Sequence, residues 1–427
     1  MNPFLIAAKG KGIVGTIKRG SAIQKRYGLT ASQMDRQLAR FADILHRFDG
    51  GATFPTTVVA LTRAPGFAHK YQDRNIEFAV HGYFHWDHTR LPLEQQSKYL
   101  EKALEIFKQQ GLVGSGFRCP YLRWNEETLT AIKRAGFLYD GSQGLAWDVA
   151  DAVNTAAYDH VLDFYGAISA SDYPALPSLE DGLVRIPYCL PDDEALVERF
   201  RLSQAETMTQ IWEAILMESH RLGELFTLGL HPERIAHCET ALVRILQRAR
   251  QLAPPVWFAR LDEIARWWKA RAESQVTVQE ESDRTYQVCV DGPEGVTILA
   301  RNIDVLTPTA TWDDTIKRGL GTTLRFQADR RPFIGISPSS APHLLSFLRQ
   351  QGYIVELTED CQKQTYYLDR PTFKPEDQRR LLQEIDQADF PLIRLGRWPN
   401  GARSALSITG DIDALTIWDY GLRIFGK

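Results

Sequence analysis

The sequence predicts an α/β fold built on parallel strands, and three observations carry that expectation. From about residue 31 to residue 272, short apolar runs of strand length alternate with helical segments of ten or more residues. Such alternation requires crossover connections, as in a (β/α) barrel or a doubly wound sheet. The residues best suited to chemistry stand directly after the apolar runs, at the carboxyl ends of strands, where these folds build their sites. Near Ser274 the pattern changes to short β-rich runs separated by Asp-Gly and Pro-Glu-Gly turns, which predicts a small separate β-rich module.

Taken in order, Met34, Leu38, Phe41, Ile44, Leu45 and Phe48 recur at helical spacing and predict a helix over 31–48, stopped by Gly50-Gly51. A buried strand is expected over 52–60, a short helix after it, and a strand over 76–80. Then come an amphipathic helix over 93–110, a strand ending at 116–118, a helix over 126–135 and a strand over 136–140. A long irregular loop leads to a strand over 183–187, a helix over 203–221 and a strand over 224–230. Helix 234–252, strand 256–259 and helix 261–272 complete the alternation. In the module, strands are expected over 276–278, 285–290, 295–300, 322–326 and 353–357, with helices over 343–351 and 376–388. The chain ends on an apolar run over 404–409 and a helix over 414–425.

Composition narrows the function classes. The chain has 427 residues, 44% hydrophobic and 24% charged, with a formal net charge of -3. That length predicts two or three domains, and the near-neutral charge gives no electrostatic reason to expect nucleic acid or an anionic membrane as partner. Cys119, Cys189, Cys238, Cys289 and Cys361 are scattered and odd in number, so they read as reduced thiols of a cytoplasmic chain. No run approaches the length of a membrane span, and the apolar opening is too short for a secretory signal. No Asp or Glu precedes Asp35, so the opening cannot supply an acidic ligand.

Within Ile76-Glu-Phe-Ala-Val-His-Gly-Tyr-Phe-His85, two imidazoles four residues apart leave the end of a strand together. Such a pair can reach one cation, and a catalytic zinc site asks for a third ligand, usually a carboxylate. Arg118, Asp140, His231, Asp411 and Asp413 stand at equivalent strand ends. Each has a plain structural alternative: an ion pair for Arg118, turn or helix caps for Asp140 and Asp411, a rigid loop for His231-Pro232. Their shared position favours a common site.

Ala52-Thr-Phe-Pro55, Val80-His-Gly-Tyr-Phe-His85, Gly116-Phe-Arg-Cys-Pro-Tyr121, Asp140 after Gly136-Phe137, and Leu230-His-Pro232 resemble successive motifs of the polysaccharide deacetylase family, also called the NodB-homology domain or carbohydrate esterase family 4. The family's first motif, an apolar strand ending in Thr-x-Asp-Asp or Thr-x-Asp-x-Asp, normally precedes the others. Here the matching run, Leu406-Ser-Ile-Thr-Gly-Asp411-Ile-Asp413, lies at the far end. The resemblance covers residues 30–272 and about 390–427. It implies a circularly permuted, distorted (β/α) barrel: 1–273 as its main part, 274–385 as an inserted β-rich α+β module, and 386–427 returning to complete it.

The resemblance also implies a divalent metal, zinc first, on Asp413, His81 and His85. Asp411 would be the base acting on water, Arg118 would orient Asp411, the backbone amide of Tyr121 would hold an oxyanion, and His231 would protonate the departing amine. Asp140 matches loosely the family position beside that histidine. Gly82 and Gly410 depart from commoner family residues and leave the acyl group open. The expected function is N-deacetylation of an amino-sugar glycan of peptidoglycan or chitin type. Its rivals are hydrolysis of small cyclic amides or ureides on the same barrel, and a catalytically silent carbohydrate-binding or scaffold protein. Trp86, Trp124 and Trp147 are candidates for sugar stacking, with packing as the plainer role. His88 is expected at the surface, at least one of Trp267 and Trp268 in the core, and Cys119 inert.

Overall fold

The computed structural model describes residues 26–149, 155–282 and 284–425. Most of the basic opening therefore lies outside the described residues. The first described helix, Ser32–His46, buries Met34, Leu38, Phe41, Ile44 and Leu45 on one face. Strand Ala52–Thr56 follows, every residue of it buried.

The main sheet runs in the order 225–229, 404–409, 52–56, 76–80, 116–117, 139–140, 183–185, 178–180. Its pairings are parallel except for the 178–180 edge, which is antiparallel to 183–185. Ser404–Thr409, the last strand in the chain, lies in the interior. Leu225 to Gly229 pair with Ala405 to Thr409 on one side, and Ala52 and Thr53 pair with Ile408 and Thr409 on the other. Strand Val256–Phe258 joins its opening half. All six residues of Ser404–Thr409 are buried, as a central parallel strand covered on both faces requires. The sheet curls as a half-barrel, and its ends at 225–229 and 178–180 are not paired to each other. Thr227 Oγ1 bridges part of that gap, accepting from the Cys189 amide and donating to the Pro187 carbonyl.

Several sequence expectations are corrected. The strand expected over 52–60 ends at Thr56, and Val58–Arg63 is a helix. The amides of Val58 and Val59 bond the Gly82 and Tyr83 carbonyls, so the chain turns across the sheet's end beneath the His81 loop. The loop expected after residue 140 contains helix Thr155–Tyr165 and strands 144–146 and 168–169, which form a three-stranded sheet with 188–190 beyond it. Strands Arg331–Ile336 and Gln364–Leu368, absent from the expectation, form a parallel sheet with Val355–Leu357.

The β-rich region contains two antiparallel sheets besides that parallel one. Leu392–Leu395 pairs with Ile298–Arg301, so the chain leaves this region only after Leu395 rather than at residue 386. Nor is the region a separate globule. One continuous core joins Leu225, Trp267 and Trp268 to Val288, Ile298, Phe326 and Trp398. Arg379 crosses the same boundary, pairing with Glu224 and donating to the Ala170 and Tyr173 carbonyls. Both Trp267 and Trp268 are core residues. Among the described residues, no helix is long and apolar enough to cross a membrane.

Candidate active site

The parallel strands point their carboxyl ends at one small cleft of about 40 Å³, lined in part by His85, Tyr121, His231, Asp411 and Asp413. His81 and His85 follow Ile76–Val80, whereas Asp411 and Asp413 follow Ser404–Thr409, separated from Ile76–Val80 by Ala52–Thr56. The placement depends on two glycines. At Gly82, φ is +74° and an added Cβ would stand 2.9 Å from the Phe84 carbonyl, so the tight His81–His85 turn requires glycine. At Gly410 an added Cβ would lie 1.7 Å from the Leu230 carbonyl oxygen, because the two strands that carry His231 and Asp411 leave the sheet in backbone contact.

His81 is fully buried, and its Nδ1 lies 2.9 Å from the Arg118 carbonyl. A carbonyl only accepts, so Nδ1 carries the proton and Nε2 presents a lone pair. That lone pair stands 3.4 Å from Asp413 Oδ1 and 3.6 Å from Asp411 Oδ2, and His81 Nε2 is buried with no hydrogen-bond partner among the described residues. His85 Nε2 is 3.3 Å from the same Asp413 oxygen. One ligand atom each from His81, His85 and Asp413 lie within 4.8 Å of one another. Electron pairs converging on one point repel unless a cation lies between them, and two imidazoles with a carboxylate are a donor set suited to zinc. The residues fit the group.

Arg118 Nη1 donates to Asp411 Oδ1 at 2.8 Å, and Arg118 Nε donates to the Gly141 carbonyl at 3.0 Å. The guanidinium is fixed at two points and lies 4.6 Å from the Tyr188 ring centroid. Burial pushes the Asp411 carboxyl up, but its interactions with His81, Arg118 and His231 outweigh that and hold the group below its usual range. Asp411 is therefore ionised at neutral pH.

On the opposite wall, His231 Nδ1 donates to Asp193 Oδ1 at 2.6 Å, and the His231 amide donates to Asp193 Oδ2 at 2.8 Å. Burial disfavours the imidazolium, yet the Asp193 charge more than compensates and raises the histidine well above its ordinary value. Asp192 receives the Tyr188 hydroxyl at 2.7 Å, and burial beside Asp193 pushes it up to about 6. Asp192, Asp193 and His231 also stand close enough to share a cation, but Nδ1 holds its proton for Asp193, so this group is an ion pair.

Asp140 is corrected. The carboxylate beside His231 is Asp193, whereas Asp140 is fully buried on Ser142 and 3.4 Å from Arg185 Nε. Ser142 in turn accepts the Cys119 amide at 2.9 Å, so Asp140 braces the turn that follows Arg118. The sequence signal for Asp193 was the acid pair in Leu190-Pro-Asp-Asp193, two residues past a strand too short to read from alternation. Tyr121 and Leu122 both adopt left-handed backbone, at φ 61° and 57°, a costly conformation for such side chains. It turns the Tyr121 ring edge-on to His85, with centroids 4.4 Å apart.

The tryptophans do not line this cleft. Trp147 is buried, Trp124 lies under the Arg185 guanidinium at 4.0 Å, and Trp86 stacks on Phe84 at 4.5 Å. His88 is not a surface residue: it is 2% exposed, packs against Phe117, and burial pushes its pKa down to about 4. Cys119 is fully buried, and burial raises its thiol well above the ordinary value, so it stays protonated.

Residues 24–139 match the family model described as polysaccharide deacetylase. Over those residues the chain is similar to polysaccharide deacetylases. It is 26% identical over 220 residues to the peptidoglycan deacetylase-like protein FGM2 of Gibberella zeae, covering 45% of this chain and 63% of that protein. This chain therefore spans less than two thirds of the length of that curated relative. Among solved structures, a Mycobacterium smegmatis protein assigned as a polysaccharide deacetylase aligns with a TM-score of 0.43 at 21% identity, covering 58% of this chain and 82% of its own. PuuE allantoinase aligns with a TM-score of 0.43 at 20% identity, covering 55% and 72%.

Proposed function

We propose that this protein is a metal-dependent amide hydrolase that removes an N-acyl group from an amino-sugar glycan, with a peptidoglycan-like polymer as the first substrate class. The reading rests on one observation: His81, His85 and Asp413 converge on a single point, with Asp411 clamped by Arg118 beside them. A divalent ion held by those three side chains would supply the positive charge that polarises an acyl carbonyl and eases deprotonation of a water. Asp411, ionised and oriented by Arg118, accepts the proton of the attacking water. The Tyr121 amide donates to the oxygen that gains charge, as oxyanion donors do. His231, held as an imidazolium by Asp193, delivers a proton to the departing amine, without which the C–N bond does not break.

The order of motifs along the chain supports a circular permutation. The strand bearing Asp411 and Asp413 comes last in sequence yet pairs beside Ala52–Thr56. In this layout residues 1–273 form most of the domain, the β-rich region is inserted, and the tail after Leu395 supplies the missing strand.

A second reading, hydrolysis of a small cyclic amide or ureide, is favoured by the narrowness of the cleft, about 40 Å³ and walled by Tyr121, Tyr165 and Tyr188. The test is turnover on acetylated chito-oligomers and peptidoglycan fragments against a panel of ureides and imides. Acetate release from the glycans alone supports the first reading, and ring opening alone supports the second.

A further inference from the structure

A second cavity, of about 160 Å³, lies on the seam between the β-rich region and the main sheet, where helix Ala205–Leu222 ends and the chain enters Ser404–Thr409. Its walls carry Arg221, Arg301, Arg394 and Arg403 against only Asp313 and Asp386. The partners are already distributed. Arg221 is taken by Glu218. Arg301 donates to the carbonyls of Ile385, Asp386 and Phe390. Arg403 holds Asp313 with one nitrogen, while its Nε is buried without a hydrogen-bond partner among the described residues.

Arg394 Nη1 is likewise buried without a hydrogen-bond partner among the described residues. Behind it, Arg397 Nη2 lies 3.7 Å from Asp386, whose other oxygen accepts the Tyr353 hydroxyl at 3.0 Å. Glu224, the next carboxylate near Arg397, is occupied by Arg379. A third guanidinium, Arg271, is close enough that burial and the charges of Arg397 and Arg394 push it down to about 9. Arg394 and Arg397 thus share the Asp386 carboxylate, while Arg271 donates to the Gln350 carbonyl. Buried cations short of counter-charge are costly, and guanidinium groups lining a small cavity offer the donors that oxyanions take.

We propose that this cavity binds a small oxyanion, inorganic phosphate or a phosphate monoester, on Arg394 and Arg403. The anion neutralises the excess charge and ties the β-rich region to the root of the strand that carries Asp411 and Asp413. The cavity is too small for a glycan chain, and the site is independent of the proposed hydrolase chemistry.

The test is calorimetric titration of phosphate into the full-length protein, with chloride holding ionic strength constant, alongside the melting temperature. Expected are saturable binding of one phosphate per chain and a raised Tm. Arg394→Gln should weaken binding by about tenfold, the worth of one charged hydrogen bond, while Asp413→Ala leaves it within about twofold. A parallel titration with glycerol 3-phosphate tells a free anion from an esterified one, and saturable binding of either supports the site. Absence of saturable binding of both by the wild-type protein overturns the proposal. So does binding that survives Arg394→Gln and disappears in Asp413→Ala, which would put the phosphate at the His81 cleft. If Arg394→Gln does not fold, Arg403→Gln carries the same expectation.

Discussion

Arg118 and Asp411, 293 positions apart in the chain, meet in a buried ion pair of 2.8 Å. The contact joins the strand end at Phe117 to that at Thr409, and it leaves Asp411 Oδ2 facing the cluster of His81 and Asp413. One carboxylate is thereby oriented by a cation on one side and presented to the reaction point on the other. Asp411→Asn keeps the shape and removes the charge. On the proposed mechanism it lowers kcat by about 10²- to 10⁴-fold while metal content stays at the wild-type level. Steady-state kinetics with elemental analysis of the same sample checks both halves, and unchanged turnover would contradict the role given to Asp411.

The His231–Asp193 pair sets a pH dependence whose sign follows from the raised histidine. A group whose pKa rises on folding adds stability that is complete below its unfolded value and fades as pH climbs through the folded one. The imidazolium's stabilising contribution, and its ability to donate a proton, are therefore lost on the alkaline side. Asp193→Asn removes the charge that holds the proton, so the alkaline limb of kcat/KM should move toward lower pH, nearer an ordinary histidine at about 6.5. A pH–rate profile of the variant with its limb unmoved would contradict the assignment.

Gly410 offers a stability test. The absent Cβ leaves room for the Leu230 carbonyl, and both residues sit just past the sheet with their amides bonded to the Thr409 and Thr53 carbonyls, so neither yields cheaply. Gly410→Ala should cost on the order of 3 kcal/mol, read from urea unfolding. The same substitution at Gly136, where an added Cβ would meet nothing within 4 Å but φ is +79°, should cost less, about 1 kcal/mol.

Removing residues 390–427 should abolish folding as well as activity. The deletion takes out Ser404–Thr409 and leaves the facing edges of Ala52–Thr56 and Leu225–Gly229 unpaired inside the molecule. It also strips Leu392–Leu395 from Ile298–Arg301. Calorimetry of the truncated chain is the check, and a cooperative melt at the wild-type temperature would refute the strand's structural role.

Much of this was legible before any coordinates. Helix 126–135 and strand 404–409 have the bounds read from periodicity, because a strong apolar stripe or an unbroken buried run leaves little freedom. His81, His85, Arg118, His231, Asp411 and Asp413 could be named because each follows a strand. What failed did so for local reasons. Val58 and Val59 are β-formers, but the sheet ends at Thr56 and their amides go to the His81 loop. Asp193 was hidden because its strand, Tyr188–Leu190, is three residues long. His88 is polar in a polar neighbourhood of sequence, and only the packing of Phe117 against its ring reveals its burial. The shared core of the β-rich region arises from Trp398 and its neighbours, which no short-range pattern ties to Trp268.

The account turns on a cation held jointly by the two ends of the chain, and metal content by elemental analysis of the wild-type protein and Asp413→Ala tests it most directly. One divalent ion per wild-type chain, lost from the variant while its circular dichroism and melt remain cooperative, is the predicted result. A folded Asp413→Ala protein that keeps a full equivalent of metal would contradict it.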